Sequence, residues 1–171
     1  MNKNLHPGQL MPELDIASVQ GAPIKTGGKG RWQLLVVYRG KHCPLCKLYL
    51  STLEAMKTEF AQLNVDLLVA SADPKEKADA FVAELNLTMP VGYDLDMEQM
   101  RGLGLYISNP RDASETDGPF AEPGLFVVNP DGLLQAADRS NAPWLRPELA
   151  LVARGIGIVQ SRAPLIRGTA E

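Results

Sequence analysis

Between Gln33 and Leu85 the chain twice follows an apolar run with a helical stripe, and this alternation narrows its fold more than any other feature. Gln33-Leu34-Leu35-Val36-Val37-Tyr38 is apolar at nearly every position, the pattern of a strand covered on both faces. Leu45, Tyr49, Leu53, Met56, Phe60 and Leu63 then recur at steps of three and four, which predicts one helix of about five turns. Val65 to Ser71 repeats the buried-strand pattern. Asp73-Pro74-Lys75-Glu76 predicts a helix start, with Asp73 as cap, Pro74 at the first helical position and Glu76 completing a capping box. Ala78, Phe81, Val82 and Leu85 form the buried face of that helix. A strand-helix-strand-helix order makes the first helix a crossover, so the strands run parallel and the connection is right-handed.

The flanking segments are simpler. Leu14 to Val19 predicts a short strand, and Gly21 to Gly30, with four glycines and a proline, predicts a loop. Met89 to Tyr93 reads as a short strand and Asp96 to Leu103 as a short helix. Gly104 to Ala121 is polar and longer than most loops of a compact domain, which points to a functional or mobile segment. Leu125 to Val128 and Leu133 to Ala137 flank Asn129-Pro130-Asp131-Gly132, a turn signal that predicts an antiparallel hairpin. Leu149, Val152, Ala153 and Ile156 mark a helix after Pro147, and Ser161 to Glu171 reads as a surface tail.

A chain of 171 residues, 45% of them hydrophobic, is expected to form a single domain spanning 1–171 and to need no disulfide or metal staple. Its net charge of −3 offers no basic excess for nucleic acid or an anionic membrane. The first residues carry no apolar signal-peptide core, and no stretch approaches membrane-spanning length. The expected compartment is the cytoplasm, where a close cysteine pair is more often catalytic or metal-binding than structural.

That pair is Cys43-Pro44-Leu45-Cys46, the only cysteines in the chain. It sits at a strand-to-helix junction, where the partial positive charge of a helix N-terminus favours thiolate over thiol. Residues three apart on a helix are neighbours, and Pro44 fits the first helical position. The expectation is an exposed, attacking Cys43 and a second sulfur, Cys46, placed to resolve what forms on the first. Arg39, Lys41, His42 and Lys47 surround the pair, with no acid between Gly21 and Leu53. Arg39 is a candidate for holding a thiolate or a peroxide oxygen, and His42 for tuning the local potential, while Lys41 and Lys47 read as solvated surface charges. The residues alone leave three readings open: a redox pair, two inert thiols, or half of a zinc site. Zinc needs two more soft ligands, and the only other histidine is His6, so a symmetric dimer would have to supply them.

Three features carry a resemblance. Val36 to Cys46 is a strand delivering a Cys-x-x-Cys to a helix, Glu122 to Gly132 is a proline-strand-turn segment, and about 80 residues with a strand and helices separate them. Gly8 to Leu14 adds a weaker match. In these the chain resembles the thioredoxin superfamily, and within it the peroxiredoxin-like branch of the alkyl hydroperoxide reductase/thiol-specific antioxidant (AhpC/TSA) redoxins, from about residue 8 to 157. The resemblance implies an α/β, thioredoxin-like fold, a central mixed β-sheet flanked by helices with an N-terminal extension of peroxiredoxin type. It implies catalytic Cys43 and Cys46 and a cis Pro123 packed beside the cysteines that keeps the backbone of Glu122 open, while Arg39 and His42 are supporting candidates from their position beside the pair. It also implies a thiol oxidoreductase without bound cofactor or metal, acting on a peroxide or a protein disulfide, recharged by a thioredoxin- or glutathione-type reductant, with a homodimer as one assembly. The alternatives are a disulfide reductase without significant peroxidase activity and a non-enzymatic binding module of the same fold. The chain departs from the family pattern at three places. Val36 stands where such proteins have proline, Gly40 where they have threonine or serine, and Glu122-Pro123-Gly124 where they have an arginine.

Overall fold

A computed structural model describes residues 5–162 and 165–170. Near the N-terminus, β1 (Asp15–Ile16) pairs antiparallel with β2 (Ile24–Lys25). Then come β3 (Trp32–Val37), α1 (Pro44–Ala55), α2 (Lys57–Gln62), β4 (Val65–Ala70), α3 (Lys75–Leu85), β5 (Val91–Gly92) and α4 (Met97–Gly102). The chain ends with β6 (Ile107–Ser108), β7 (Phe120–Ala121), β8 (Gly124–Val128), β9 (Leu134–Arg139) and α5 (Leu149–Ser161).

The central sheet has the order β5-β4-β3-β8-β9. β3, β4 and β5 run parallel, as the crossover argument requires, while β8 and β9 run antiparallel to their neighbours. The period-2 alternation of β3 divides the core. Leu34 and Val36 join Leu50, Leu53, Phe60, Phe81 and Ile156 on one face. Leu35 and Val37 join Ile16, Ile24, Leu103 and Phe126 on the other. Both faces are covered, which explains why β3 and β4 read as continuous apolar runs.

Several expectations shift. The single long helix divides at Met56, which ends α1 and begins α2. The Met56 N–H is shared between the carbonyls of Thr52 and Leu53, both at 3.1 Å, a tightening typical of helix ends. The apolar stripe crosses the joint unbroken, so periodicity alone does not reveal it. Helix α3 starts one residue late, with Pro74 at the cap and no capping side chain. Asp73 is buried and turned inward, where it accepts the Lys41 backbone N–H at 2.7 Å. By contrast, Asp96 and Gln99 form a full capping box on α4.

The polar segment from Gly104 to Ala121 is tied at its ends by the β6–β7 pair, and it carries the buried Thr116. The β8–β9 turn forms as expected, with Asn129 Oδ1 accepting the N–H groups of Asp131 (3.0 Å) and Leu133 (3.1 Å). Of the predicted tail, Ala163, Pro164 and Glu171 lie outside the described residues, as do Met1 to Asn4 at the other end. The Leu165 carbonyl accepts from Gln135 at 3.2 Å, which lays this part of the tail on β9. Among the described residues no helix is long and apolar enough to cross a membrane.

Candidate active site

β3 delivers the chain to the cysteines through a tight turn, closed by the Cys43 N–H to the Gly40 carbonyl at 3.1 Å. Cys43 is the N-cap of α1 and Pro44 its first residue. The backbone at Cys43 is extended, so its side chain folds back over the helix start, and its Sγ accepts the Cys46 N–H at 3.2 Å. That amide is one of the donors a helix N-terminus leaves free. The two residues form a disulfide, with Cα atoms 5.2 Å apart. Cys43 was expected to be the exposed member, but it is 1% exposed against 0% for Cys46. Both sulfurs belong to the core cluster that β3 and α1 share with Tyr38 and Leu50, and that packing removes the difference.

The predicted cations divide. Lys41 and Lys47 reach outward to Glu84, at 3.8 and 2.6 Å. Arg39 turns instead to the polar segment. Its Nε lies 3.0 Å from Glu122 Oε2 and its Nη2 3.8 Å from Glu115 Oε1, and its guanidinium covers the Phe120 ring at 4.8 Å. The Nε contact is an ion pair without a well-aimed hydrogen bond. The second Glu122 oxygen accepts from Ser108 Oγ at 2.7 Å. Arg39 is therefore already engaged by two carboxylates. His42 meets the same Phe120 ring edge-on at 4.8 Å, and neither ring nitrogen has a partner. Burial, and then the charge of Arg39, lower its pKa, so the ring is held neutral.

Gly40, where the resemblance leads one to expect a hydroxyl, has a geometric cause. Gly40 has φ +136°, and a Cβ there would stand 2.7 Å from Asp73 Oδ1 and 3.0 Å from His42 Nδ1. The Asp73 carboxyl fills the space a side chain would take. Burial raises its pKa, partly opposed by the bond from Lys41 N–H.

Pro123 was expected in the cis form, but no peptide bond among the described residues is cis. The extended path explains the trans form. Glu122 N–H donates to the Tyr106 carbonyl at 2.8 Å, and the Pro123 carbonyl accepts from Ser140 N–H at 3.0 Å. The proline sits just ahead of β8, where its missing N–H costs no ladder bond. The Glu122 N–H, expected to be open, is thereby occupied.

Arg146 went unnoticed in the sequence. Its Nη2 lies 2.8 Å from Cys46 Sγ, although 100 positions separate the two residues. The guanidinium lies 5.0 Å from the Tyr49 ring centroid, and Tyr49 Oη donates to the Pro147 carbonyl at 2.8 Å. Burial pushes the Tyr49 phenol up to about 12 and lowers Arg146. Arg146 Nε and Nη1 are buried without partners. Arg146 and Tyr49 also line a cavity of about 400 Å³ with Leu45, Leu48 and Trp144. The run Pro143-Trp144-Leu145-Arg146-Pro147 has no periodicity or motif to single out its arginine. Each sulfur thus has its own donor, a helix amide on Cys43 and a guanidinium on Cys46. Among the described residues no group of three or more His, Cys, Asp or Glu side chains is arranged to hold a metal ion.

Known proteins agree with this architecture. A probable 1-Cys peroxiredoxin of Syntrichia ruralis is 24% identical over 130 residues, covering 72% of this chain and 60% of that protein, so the chain spans less than two thirds of its relative's length. Among solved structures, a peroxiredoxin 6 of Arenicola marina superposes with TM-score 0.78 at 18% identity, over 92% of this chain and 74% of that one. AhpC of Enterococcus faecalis gives 0.77 at 16% identity, over 98% and 99%. These two share the fold. The model of the AhpC/TSA family matches residues 7–137, from the N-terminal extension through the cysteine pair to β9, and the chain belongs to that family.

Proposed function

We propose that this protein is a thiol-dependent oxidoreductase that cycles between the Cys43–Cys46 dithiol and its disulfide. The observation that carries this is the pair itself, closed into a disulfide across the first turn of α1 with a donor on each sulfur. In the cycle, Cys43 thiolate attacks the terminal, hydroxyl-bearing oxygen of a hydroperoxide. The O–O bond breaks, an alcohol or water leaves after protonation, and Cys43 carries a sulfenic acid. Cys46 thiolate attacks that sulfur, hydroxide leaves and takes up a proton, and the disulfide forms. Two electrons from an external thiol reductant restore the dithiol. The Syntrichia relative is described as a peroxiredoxin, which supports the peroxide as substrate. Burial of both sulfurs also favours a small substrate over a bulky protein disulfide.

A second reading, disulfide reduction without significant peroxidase activity, draws on the absent hydroxyl at Gly40 and on the engagement of Arg39 by Glu115 and Glu122. Stopped-flow oxidation of the reduced protein by hydrogen peroxide, beside reduction of a disulfide substrate, separates the two. Cys43→Ser is expected to abolish turnover, and Cys46→Ser to trap a sulfenic acid or mixed disulfide. Unchanged turnover in Cys43→Ser would refute the cycle.

A further inference from the structure

The geometry points to Arg146 as a catalytic residue that holds Cys46 as a thiolate, making the second sulfur both the ready resolving nucleophile and the leaving group of the disulfide. This rests on the dithiol cycle proposed above. Cys46 is fully buried, and a bare thiolate there would be strongly disfavoured by desolvation. Arg146 Nη2 at 2.8 Å supplies the compensating charge. The guanidinium is held from its other side by the Tyr49 ring, and Tyr49 is in turn fixed to the Pro147 backbone, one residue beyond Arg146. Among the described residues no carboxylate lies within ion-pair distance of Arg146, in contrast to Arg39, and the charges of Glu122 and Arg39, which reach it from further away, oppose each other. Its charge is therefore available to sulfur, and an arginine keeps that charge through burial.

The chemistry follows in both directions. When a thiolate of the reductant attacks Cys43 Sγ, a new S–S bond forms to Cys43 as the Cys43–Cys46 bond breaks. The electron pair of the broken bond stays on Cys46, against Arg146. A second thiol of the reductant then attacks the reductant's own sulfur in the mixed disulfide and expels Cys43 as thiolate, which completes a two-electron reduction. A leaving thiol of lower pKa departs faster, and stabilising the reduced form makes the pair more oxidising. In the oxidising direction the same thiolate stands ready to attack the Cys43 sulfenic acid.

The test uses the full-length protein. In a Cys43→Ser background Cys46 is the only thiol, and its thiolate absorbance is followed against pH. Arg146→Gln is expected to shift that titration upward by about one unit or more, the effect of losing an opposite charge at this range. Arg146→Lys should recover most of the shift. In the protein with both cysteines, equilibration with dithiothreitol should show Arg146→Gln favouring the disulfide about tenfold more than wild type, which is about 30 mV. Should the Gln variant fail to fold, Arg146→Met removes the charge while keeping apolar packing on Tyr49. A Cys46 titration unmoved by Gln or Met, or a Lys variant no better than Gln, overturns the assignment while leaving the dithiol cycle standing. Failure of the wild-type disulfide to open and re-form overturns both.

Discussion

The steric exchange between Gly40 and Asp73 yields the sharpest prediction. Gly40→Ala adds one carbon, placed 2.7 Å from Asp73 Oδ1 and 3.1 Å from its Cγ. The carboxyl must move, and the charge-assisted bond from Lys41 N–H, worth about 1.5–3 kcal/mol, is lost or weakened. The backbone at φ +136° adds about 1–3 kcal/mol of strain for a residue with a Cβ. The variant is therefore expected to lose about 3–5 kcal/mol, the sum of those two contributions near their middle range. In an Asp73→Ala background both close carboxyl contacts are gone and only the approach to His42 Nδ1 at 3.0 Å remains, so Gly40→Ala should cost mainly its backbone strain, about 1–3 kcal/mol. The double-mutant cycle should then give a coupling of about 1.5–3 kcal/mol, set by the lost bond. Urea unfolding at neutral pH measures all four corners, with m-values compared to confirm a common unfolded state. A Gly40→Ala variant within about 0.5 kcal/mol of wild type, or strictly additive losses, would refute the argument that Asp73 excludes a side chain at position 40.

Three further outcomes are expected. The folded-state pKa of Asp73 is raised, chiefly by burial, above its ordinary 3.8, so its favourable contribution is full below that pH and is lost as pH rises through the folded value. Asp73→Asn keeps an acceptor for Lys41 N–H, and its urea midpoint relative to wild type should rise with pH from about 4 upward and then level off. The pKa of His42 is lowered by burial and then by Arg39, so its contribution is present above 6.5 and lost as pH falls through the folded value, and His42→Gln should flatten the acid limb of the stability curve. Arg39→Met leaves Glu122 buried without its cation and should cost about 3–5 kcal/mol in urea unfolding, whereas Arg39→Met combined with Glu122→Met should cost less than the two single changes together.

Local signals in the sequence did locate the cysteine pair on its helix. Pro44 at the first helical position, the apolar stripe behind it and the buried run before it all act within a few residues, and each follows directly from backbone sterics or face burial. Asp73 had the right residue type and position for a cap, but a loop amide 32 residues away competed for its carboxyl and won. Arg39 stood out in the sequence as a charge four residues before Cys43, yet its partners in the structure, Glu115 and Glu122, come from a segment that looked like polar loop. Arg146 shows where such reading stops. Its place depends on how the stretch before α5 packs across Tyr49, and no local pattern encodes that.

The short span of the Cys43–Cys46 bridge limits how much its opening can cost the fold. A cross-link between residues three apart closes a very small loop, which removes only about 2 kcal/mol of chain entropy from the unfolded state, against about 4.7 for a hundred-residue loop. Domains of this kind are stable by about 5–15 kcal/mol, so opening and closing the bridge leaves the folded population nearly unchanged. Proteases and chaperones that sample unfolded chains would nonetheless meet about thirtyfold more of them in the reduced protein, because about 2 kcal/mol is a factor of about 30 in the unfolded population. Proteolytic susceptibility would therefore report whether the bridge is open or closed while the fold itself stays intact.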